Sequence, residues 1–377
     1  MSSSRLGLSV VSPGPLRVTA HRVDHYPVHI EDGLVARLAG PLTGLLDRLG
    51  SPDVVIAVDT GAAEHHLGAV TAAVLATGRP FHVVPVPAGE ASKSPQGLDN
   101  LVRALHSHQT SRRSLLLAVG GGMVCDLATT AAAIYMRGIP YALLPTTVLA
   151  AVDAAIGGKG GIDDNGAKNL LGAFHHPAAV FIDPQLTGTL PERQIRNGLA
   201  EVIKVALIAD ADLYASLEQH ADQLPTGEAL TQIIRAAIAA KLRLLAEDPF
   251  EQGDLRRLLN LGHCIGHPYE AATGYQVLHG EAVAVGMAVA AVHAHLTGRT
   301  SLADRDRILR LLEAYRLPTT LPEPMREPTW AGMATVRRVR GGPLHLVLPN
   351  TPGNCTVKDD IDRASYDKAL SELAARP

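Results

Sequence analysis

Residues 260–283 read NLGHCIGHPYEAATGYQVLHGEAV and gather His263, His267 and His279 into seventeen positions. His263 and His267 are four apart, a spacing that puts two imidazoles on one helical face and that zinc-binding helices use. In isolation such a pair is more often unliganded than liganded. Two features shift the balance: the acidic Glu281 close behind His279, and Glu201 in the distant stretch NGLAEVIKVALI (197–208). A catalytic zinc takes three protein ligands and keeps one position open, so a Glu/His/His set suffices and one histidine is surplus. The ring left over would serve phosphate or proton transfer. On a helix Glu201 shares a face with Lys204, and the plain alternative is an ion pair between helical neighbours.

Other stretches could hold anions. LLLAVGGGMVCDLA (115–128) ends a buried strand in Gly120, Gly121 and Gly122, ahead of a helix with Asp126 near its start. Glycines let backbone approach a pyrophosphate, and a helix N-terminus favours negative charge. The spacing is not G-x-G-x-x-G, and a tight turn explains it equally well. PTTVLAAVDAAIGGKGGIDDNGAKNLLGAFHHP (145–177) sets Lys159 and Lys168 in glycine-rich loops beside Asn169. Lysine binds phosphate as a point charge. Solvated surface lysines are the alternative, and the density of small residues favours a site. Lys241, Arg256 and Asn260 precede the histidines. If Arg256 and Asn260 share a helix, they project towards His263 and His267, where a guanidinium grips carboxylate or phosphate in a fork. Arg257 is adjacent, so one of the two arginines faces solvent.

The elements that must position these residues change character along the chain. DVVIAVDT (53–60), PFHVVPVPAGE (80–90) and SLLLAVGGG (114–122) read as strands. GAVTAAVLATG (68–78) and GLDNLVRALHSHQ (97–109) read as helices between them. That alternation predicts an α/β half with a parallel sheet covered on both faces. From about Arg193 the runs are long and helical, such as GEALTQIIRAAIAAKLRLLAED (227–248) and HGEAVAVGMAVAAVHAHL (279–296). The turn-rich DPQLTGTLP (183–191) marks the boundary. The resulting division is a flexible tail over 1–15, a Rossmann-like α/β half over 16–185 and an α-helical half over 186–377.

Composition sets outer limits. The 377 residues suffice for two domains, and 46% are apolar with only 3% aromatic, so the core is aliphatic. A net charge of -3 argues against nucleic acid, which needs a basic surface. The longest apolar run, Ala282 to Val292, is too short for a bilayer span of about 20 residues. Three scattered cysteines, Cys125, Cys264 and Cys355, predict no disulfide framework. A soluble, cytoplasmic protein is expected.

Taken in order, these segments resemble the sugar phosphate cyclases, most closely the 3-dehydroquinate synthases, over roughly residues 50–350. The resemblance rests on PAGEASKS, GGGMVCDLATTAAAIYMRGIPYALLPTT, VDAAIGGKGGI, KNLLGAFHHP, LPERQIRNGLAEVIK, LRRLLNLGHCIGH and LHGEAVAVGM. It implies a Rossmann-like domain that binds NAD and a helical domain that holds a divalent metal, zinc or cobalt. It further implies a reaction without net redox change: transient oxidation, phosphate elimination, reduction, ring opening and an intramolecular aldol closure. Glu201, His263 and His279 match metal ligands, and His267 matches a histidine near substrate. Asp153, Lys159, Lys204, Lys241, Asn169, Arg256 and Asn260 match the substrate pocket, with Lys159, Asn169, Asn260 and His267 on the phosphate side. Arg137 matches an arginine that reaches the neighbouring subunit's site, which implies a homodimer. Asp59, Glu90, Lys93, Gly121, Gly122, Asp126, Thr146, Thr147, Lys168, Thr189 and Leu190 match cofactor contacts.

Departures from the family pattern bear on the substrate. Cys125 replaces a usual glycine, ATTAAA (128–133) replaces a Gly-Phe pair, and Gly160 and Asp163 stand where Thr and Asn are frequent. KVALI (204–208) resembles cyclases of sedoheptulose 7-phosphate. VRRVRGG (336–342) stands where a lysine pair usually meets phosphate, so Arg337 is expected to take that contact. Lys241 and Arg256 form a clamp suited to a carboxylate, and Asn260 and His267 also follow the dehydroquinate type. The favoured substrate is an acidic heptulosonate phosphate. The alternatives are aminodehydroquinate synthase or valiolone-type cyclases acting on a heptulose phosphate, and, more remotely, a metal-dependent NAD alcohol dehydrogenase.

Overall fold

A computed structural model describes residues 3–9, 17–165, 167–221, 223–247, 249–250, 255–340, 342–358 and 360–376. The chain opens with β1 (Ser3–Ser9) and β2 (Arg17–Val23), paired antiparallel. The stretch 1–15, expected as a tail, includes the strand Ser3–Ser9.

The first half then runs β3 (Val28–Ile30), α1 (Ala39–Leu49), β4 (Val54–Asp59), α2 (Thr60–Leu75), β5 (Phe81–Val86), α3 (Pro95–Ser107), β6 (Leu115–Gly120), α4 (Gly122–Ile134) and β7 (Tyr141–Pro145). An antiparallel hairpin of β8 (Lys159–Asp164) and β9 (Ala167–Phe174) follows, then β10 (Ala179–Ile182). Among the described residues six strands form one sheet in the order β3-β10-β7-β6-β4-β5, and every pairing in it is parallel. The apolar runs VVIAVD and LLLAVG are buried along almost their whole length because helices cover both faces. Asp59 caps α2 by accepting from the N–H groups of Gly61 and Ala62, and Ser94 caps α3 in the same way through Gly97.

The second half is helical: α5 (Glu192–Ala209), α6 (Ala211–Gln219), α7 (Gly227–Glu247), α8 (His263–Ala272), α9 (His279–Leu296), α10 (Leu302–Ala314), α11 (Glu323–Arg340) and, after the hairpin β11 (Leu346–Thr351) and β12 (Asn354–Lys358), α12 (Arg363–Ala374). α9 is buried nearly all round and forms the axis of this half. Its composition, alanine and valine without a polar stripe, is that of an interior helix. No helix of the described residues is long and apolar enough to cross a membrane.

Candidate active site and metal centre

The helices α5, α8 and α9 meet at backbone distance because glycines face the contacts. A Cβ on Gly280 would lie 2.0 Å from the Asn197 carbonyl oxygen on α5, and one on Gly286 would lie 1.9 Å from the carbonyl oxygen of Gly262, just before α8. The Asn197 side chain also accepts from the Gly280 N–H at 2.6 Å. These contacts bring three side chains together: Glu201 from the middle of α5, His263 from the first position of α8, and His279 from the first position of α9. His267, one turn further along α8, joins them. The rings of His263, His267 and His279 lie with centroids 4.9 to 5.6 Å apart, and one ring nitrogen from each falls within 4.8 Å of the others.

Hydrogen bonds orient two of these rings. Nδ1 of His263 faces the Leu261 carbonyl at 3.1 Å, and Nδ1 of His279 faces Glu270 Oε2 at 3.0 Å. Both partners only accept, so each Nδ1 carries a proton and each Nε2 is the atom left to face a metal. The two Nε2 atoms point at Glu201 Oε1, at 3.9 Å from His263 and 3.4 Å from His279. Glu201 is buried and neither of its oxygens accepts a hydrogen bond, although Lys204 forms an ion pair with it. Two imidazole Nε2 atoms converging on a buried carboxylate whose oxygens accept no hydrogen bond form a donor set that fits a divalent cation.

The electrostatics agree with that fit at Glu201 and His263, whereas His279 holds a proton that a metal would displace. Burial works to raise the pKa of Glu201, but Lys204 and the histidines overcome it and hold the carboxyl at about 2. His263 is pushed down to about 4, first by burial and then by Lys204. His279 is pulled up to about 9: burial opposes this, and the adjacent Glu201 and Glu270 carboxylates prevail.

Around this core stand the residues expected to meet substrate. Asp153 sits in a short π-type turn, Ala150–Ala154, and holds Lys241 of α7 through both its carboxylate (2.5 Å) and its carbonyl oxygen (2.7 Å). Asn260 ends the 3-10 turn Leu255–Asn260, three residues before His263. The side chain of Arg256 lies outside the described residues. Lys159 opens β8 and Asn169 lies on β9, so the two occupy a hairpin where glycine-rich loops were expected. The ladder is irregular between Ile162 and Asp164, and there Asp163 Oδ1 accepts the backbone N–H of Asn169 at 2.8 Å. Asn169 has φ 52°, and such an irregularity re-aims side chains next to a site.

The expected cofactor residues gather at the C-terminal ends of the parallel strands, where open α/β sheets bind ligands. Asp59 ends β4, Gly121 and Gly122 follow β6, Thr146 and Thr147 follow β7, and Thr189 and Leu190 follow β10. The chain reverses direction across the sheet between β4 and β6. At that point Gly120 (φ 146°) passes so close that a Cβ would lie 2.6 Å from the Asp59 Cβ. Thr189 Oγ1 pairs with His66 Nε2 at 3.2 Å. Beside them Lys93 binds Asp126 at 2.5 Å, and Lys168 bridges Glu90 (3.1 Å) and Glu270 (2.8 Å).

Two expected residues stand elsewhere. Arg337, expected at the phosphate, here pairs with Asp360 through contacts of 2.6 to 3.1 Å and lies over Trp330 at 5.1 Å. Arg137 is exposed on the turn after α4, and it and Met136 both adopt left-handed backbone (φ 66° and 51°). Glu281 does not join the metal group. It accepts the Leu278 N–H at the start of α9 and holds Arg193 bidentately. The sequence reading missed Glu270, which nothing in HPYEAATGY distinguishes from a surface acid.

Comparison with known proteins gives this geometry a context. A family model described as 3-dehydroquinate synthase N-terminal matches residues 83–197, and one described as 3-dehydroquinate synthase C-terminal matches residues 198–336. The chain is 44% identical to a 2-epi-valiolone synthase of Stigmatella aurantiaca, over 95% of this chain and 91% of that protein. It is 38% identical to a 3-dehydroquinate synthase of a Synechococcus species, over 95% and 97%. Its fold superimposes on that of ValA, a 2-epi-5-epi-valiolone synthase of Streptomyces hygroscopicus solved with NAD+ and Zn2+ bound, with a TM-score of 0.88 and 31% identity over 96% of this chain and all of that one. The α/β half and the helical half thus have their counterpart, and the chain belongs to the 3-dehydroquinate synthase family.

Proposed function

We propose that the protein is a sugar phosphate cyclase that takes a seven-carbon ketose phosphate, eliminates phosphate and closes a carbocyclic ketone. The observation that carries this reading is the convergence of two oriented imidazole Nε2 atoms on the buried carboxylate of Glu201, beside Lys204, Lys241 and Asp153. Glu201, His263 and His279 would hold zinc or cobalt, and the strand-end residues from Asp59 to Leu190 would hold NAD. The metal would polarise a substrate hydroxyl, and NAD would take up and return a hydride, so that no net redox change results. The protein's own residues orient and discharge the substrate. Lys159, Asn169 and Asn260 would receive the phosphate, and His267 stands where a ring can move a proton. Lys204 sits against the ligand carboxylate, where it can stabilise charge that develops on the substrate oxygen.

Two readings of the substrate differ in charge. Asn260 and His267 favour an acidic heptulosonate phosphate, as in dehydroquinate formation. Two observations favour the neutral sedoheptulose 7-phosphate. The relative at 44% identity is a 2-epi-valiolone synthase, and Lys241, half of the expected carboxylate clamp, is tied to Asp153. The test offers both sugars with NAD and Zn2+ and follows phosphate release and the cyclic product. Turnover of the neutral sugar alone selects the valiolone type, and turnover of the acidic one selects the dehydroquinate type. Release from neither, with NADH accumulating from a simple alcohol, would overturn the cyclase reading.

We further infer a homodimer in which Arg137 reaches the neighbouring site. The exposed Ile134, Met136, Leu170, Leu171 and Phe174 supply apolar surface on the same half. The strained pair Met136–Arg137 is the kind of backbone that persists at functional contacts. The division at 185/186 and a cytoplasmic setting belong to the same proposal, and the latter accords with three free cysteines.

A further inference from the structure

Glu270 is a buried carboxylate that the reading above leaves without a task. It lies on α8 with its side chain 3% exposed, and both oxygens are engaged. Oε1 accepts from Lys168 Nζ at 2.8 Å, and Oε2 meets Nδ1 of His279 at 3.0 Å. Lys168, on β9, continues to Glu90 Oε1 at 3.1 Å. One side chain therefore touches a ring of the histidine cluster and a lysine of the hairpin, across three separate elements.

These contacts are directional. An ionised carboxylate can only accept, so His279 keeps a proton on Nδ1, and Nε2, which faces Glu201, is the nitrogen left for a metal. For His263 a main-chain carbonyl performs the same service, which no side-chain change can remove. For His279 it depends on Glu270, whose own position depends on Lys168. We propose that Glu270 is the positioning residue that sets the tautomer and ring angle of His279 for the metal and, through Lys168, ties the metal centre to the cofactor-facing hairpin. This inference rests on the metal-ligand reading of Glu201, His263 and His279.

The substitution Glu270→Gln separates this role from simple packing. A glutamine keeps the shape but has one acceptor end and one donor end. With its oxygen towards Lys168, its NH2 faces His279 and drives the ring proton onto Nε2, the atom that must bind metal. With its oxygen towards His279, its NH2 opposes the Lys168 ammonium and the hairpin tie is lost.

The experiment uses the full-length protein stripped of metal. Co2+ affinity is measured by chelator competition, the Co2+ absorption spectrum reports ligand geometry, and NAD affinity is measured by calorimetry. Glu270→Gln is expected to weaken Co2+ binding by about 10–100-fold and alter the spectrum, and Lys168→Met to weaken NAD binding. A folded Glu270→Gln protein with the parent Co2+ affinity and spectrum overturns the positioning role. Unchanged NAD affinity in both variants overturns the tie to the hairpin. His279→Ala serves as the reference: if it binds Co2+ like the parent, the ligand reading fails, whereas if it loses Co2+ while Glu270→Gln does not, only the present inference fails. Should Glu270→Gln not fold, Glu270→Asp draws the carboxylate back from both partners and the same measurements decide.

Discussion

Gly286→Ala is the sharpest test of how the site is built. A Cβ at this position would lie 1.9 Å from the carbonyl oxygen of Gly262 and 2.7 and 2.8 Å from its carbonyl carbon and Cα. Ordinary contact begins near 3.4 Å, so α9 and the start of α8 must part by about 1.5 Å. All three obstructing atoms are backbone, and no rotamer change relieves them. Overpacking of a core costs about 1–3 kcal/mol, and a backbone collision belongs at the upper end. At a urea m-value of roughly 3 kcal/mol/M, a loss of about 3 kcal/mol lowers the denaturation midpoint by about 1 M. The damage extends to chemistry because His263 follows Gly262 directly and His279 opens α9. A displacement of about 1 Å between such groups costs on the order of 100-fold in rate. The assay pairs urea unfolding with Co2+ titration and turnover. Gly68→Ala is the control: it lies exposed within α2 with nothing near its missing Cβ, and should gain about 0.5–1 kcal/mol. A Gly286→Ala protein with the parent midpoint, Co2+ affinity and rate would refute the claim that glycine contacts set the ligand geometry.

Two further outcomes follow from buried groups. His293 on α9 is 2% exposed and neither ring nitrogen has a hydrogen-bond partner. Burial lowers its pKa, Lys358 and Arg299 add to the effect, and Asp362 opposes it. The unfolded chain ionises near 6.5, so this group's contribution is complete above that pH and is lost as pH falls through the lower folded value. His293→Leu should therefore lose less melting temperature than the parent between pH 7.5 and 5, and an equal or larger loss would contradict the assignment. Arg337→Ala should cost about 1 kcal/mol of stability, because its ion pair with Asp360 is partly exposed, and leave KM for the sugar phosphate unchanged. A tenfold rise in KM without a change in melting would return Arg337 to the phosphate site.

Much of this architecture is legible in the residues. The alternation of VVIAVD, FHVVPV and LLLAVG with helical runs specifies a parallel sheet, and His279–Leu296 is read as a helix with the bounds it has. Glu201, His263, His267 and His279 are recognisable from residue type and motif, and the structure brings them together. The β8–β9 hairpin was readable but missed. Its glycines suggested loops, yet Asn165-Gly166 between two short runs is a strong hairpin signal. Glu270 was not readable, because its role depends on Lys168, 102 residues away, and on an α8–α9 contact that no local pattern encodes. The committed state of Arg337 was equally hidden, since Asp360 lies 23 residues on across a β-hairpin.

The buried pairing of Glu201 with Lys204 and of Asp153 with Lys241 has a consequence for how the protein matures. Each interior acid carries its own counter-ion, so the centre bears no net charge from these four groups before any ligand arrives. Folding therefore need not wait for metal, unlike small zinc modules, whose cohesion comes from the ion itself. A cation held by Glu201 would compete with Lys204 for that carboxylate and leave the ammonium available to an anion. Loading should thus proceed in sequence, cation before sugar phosphate.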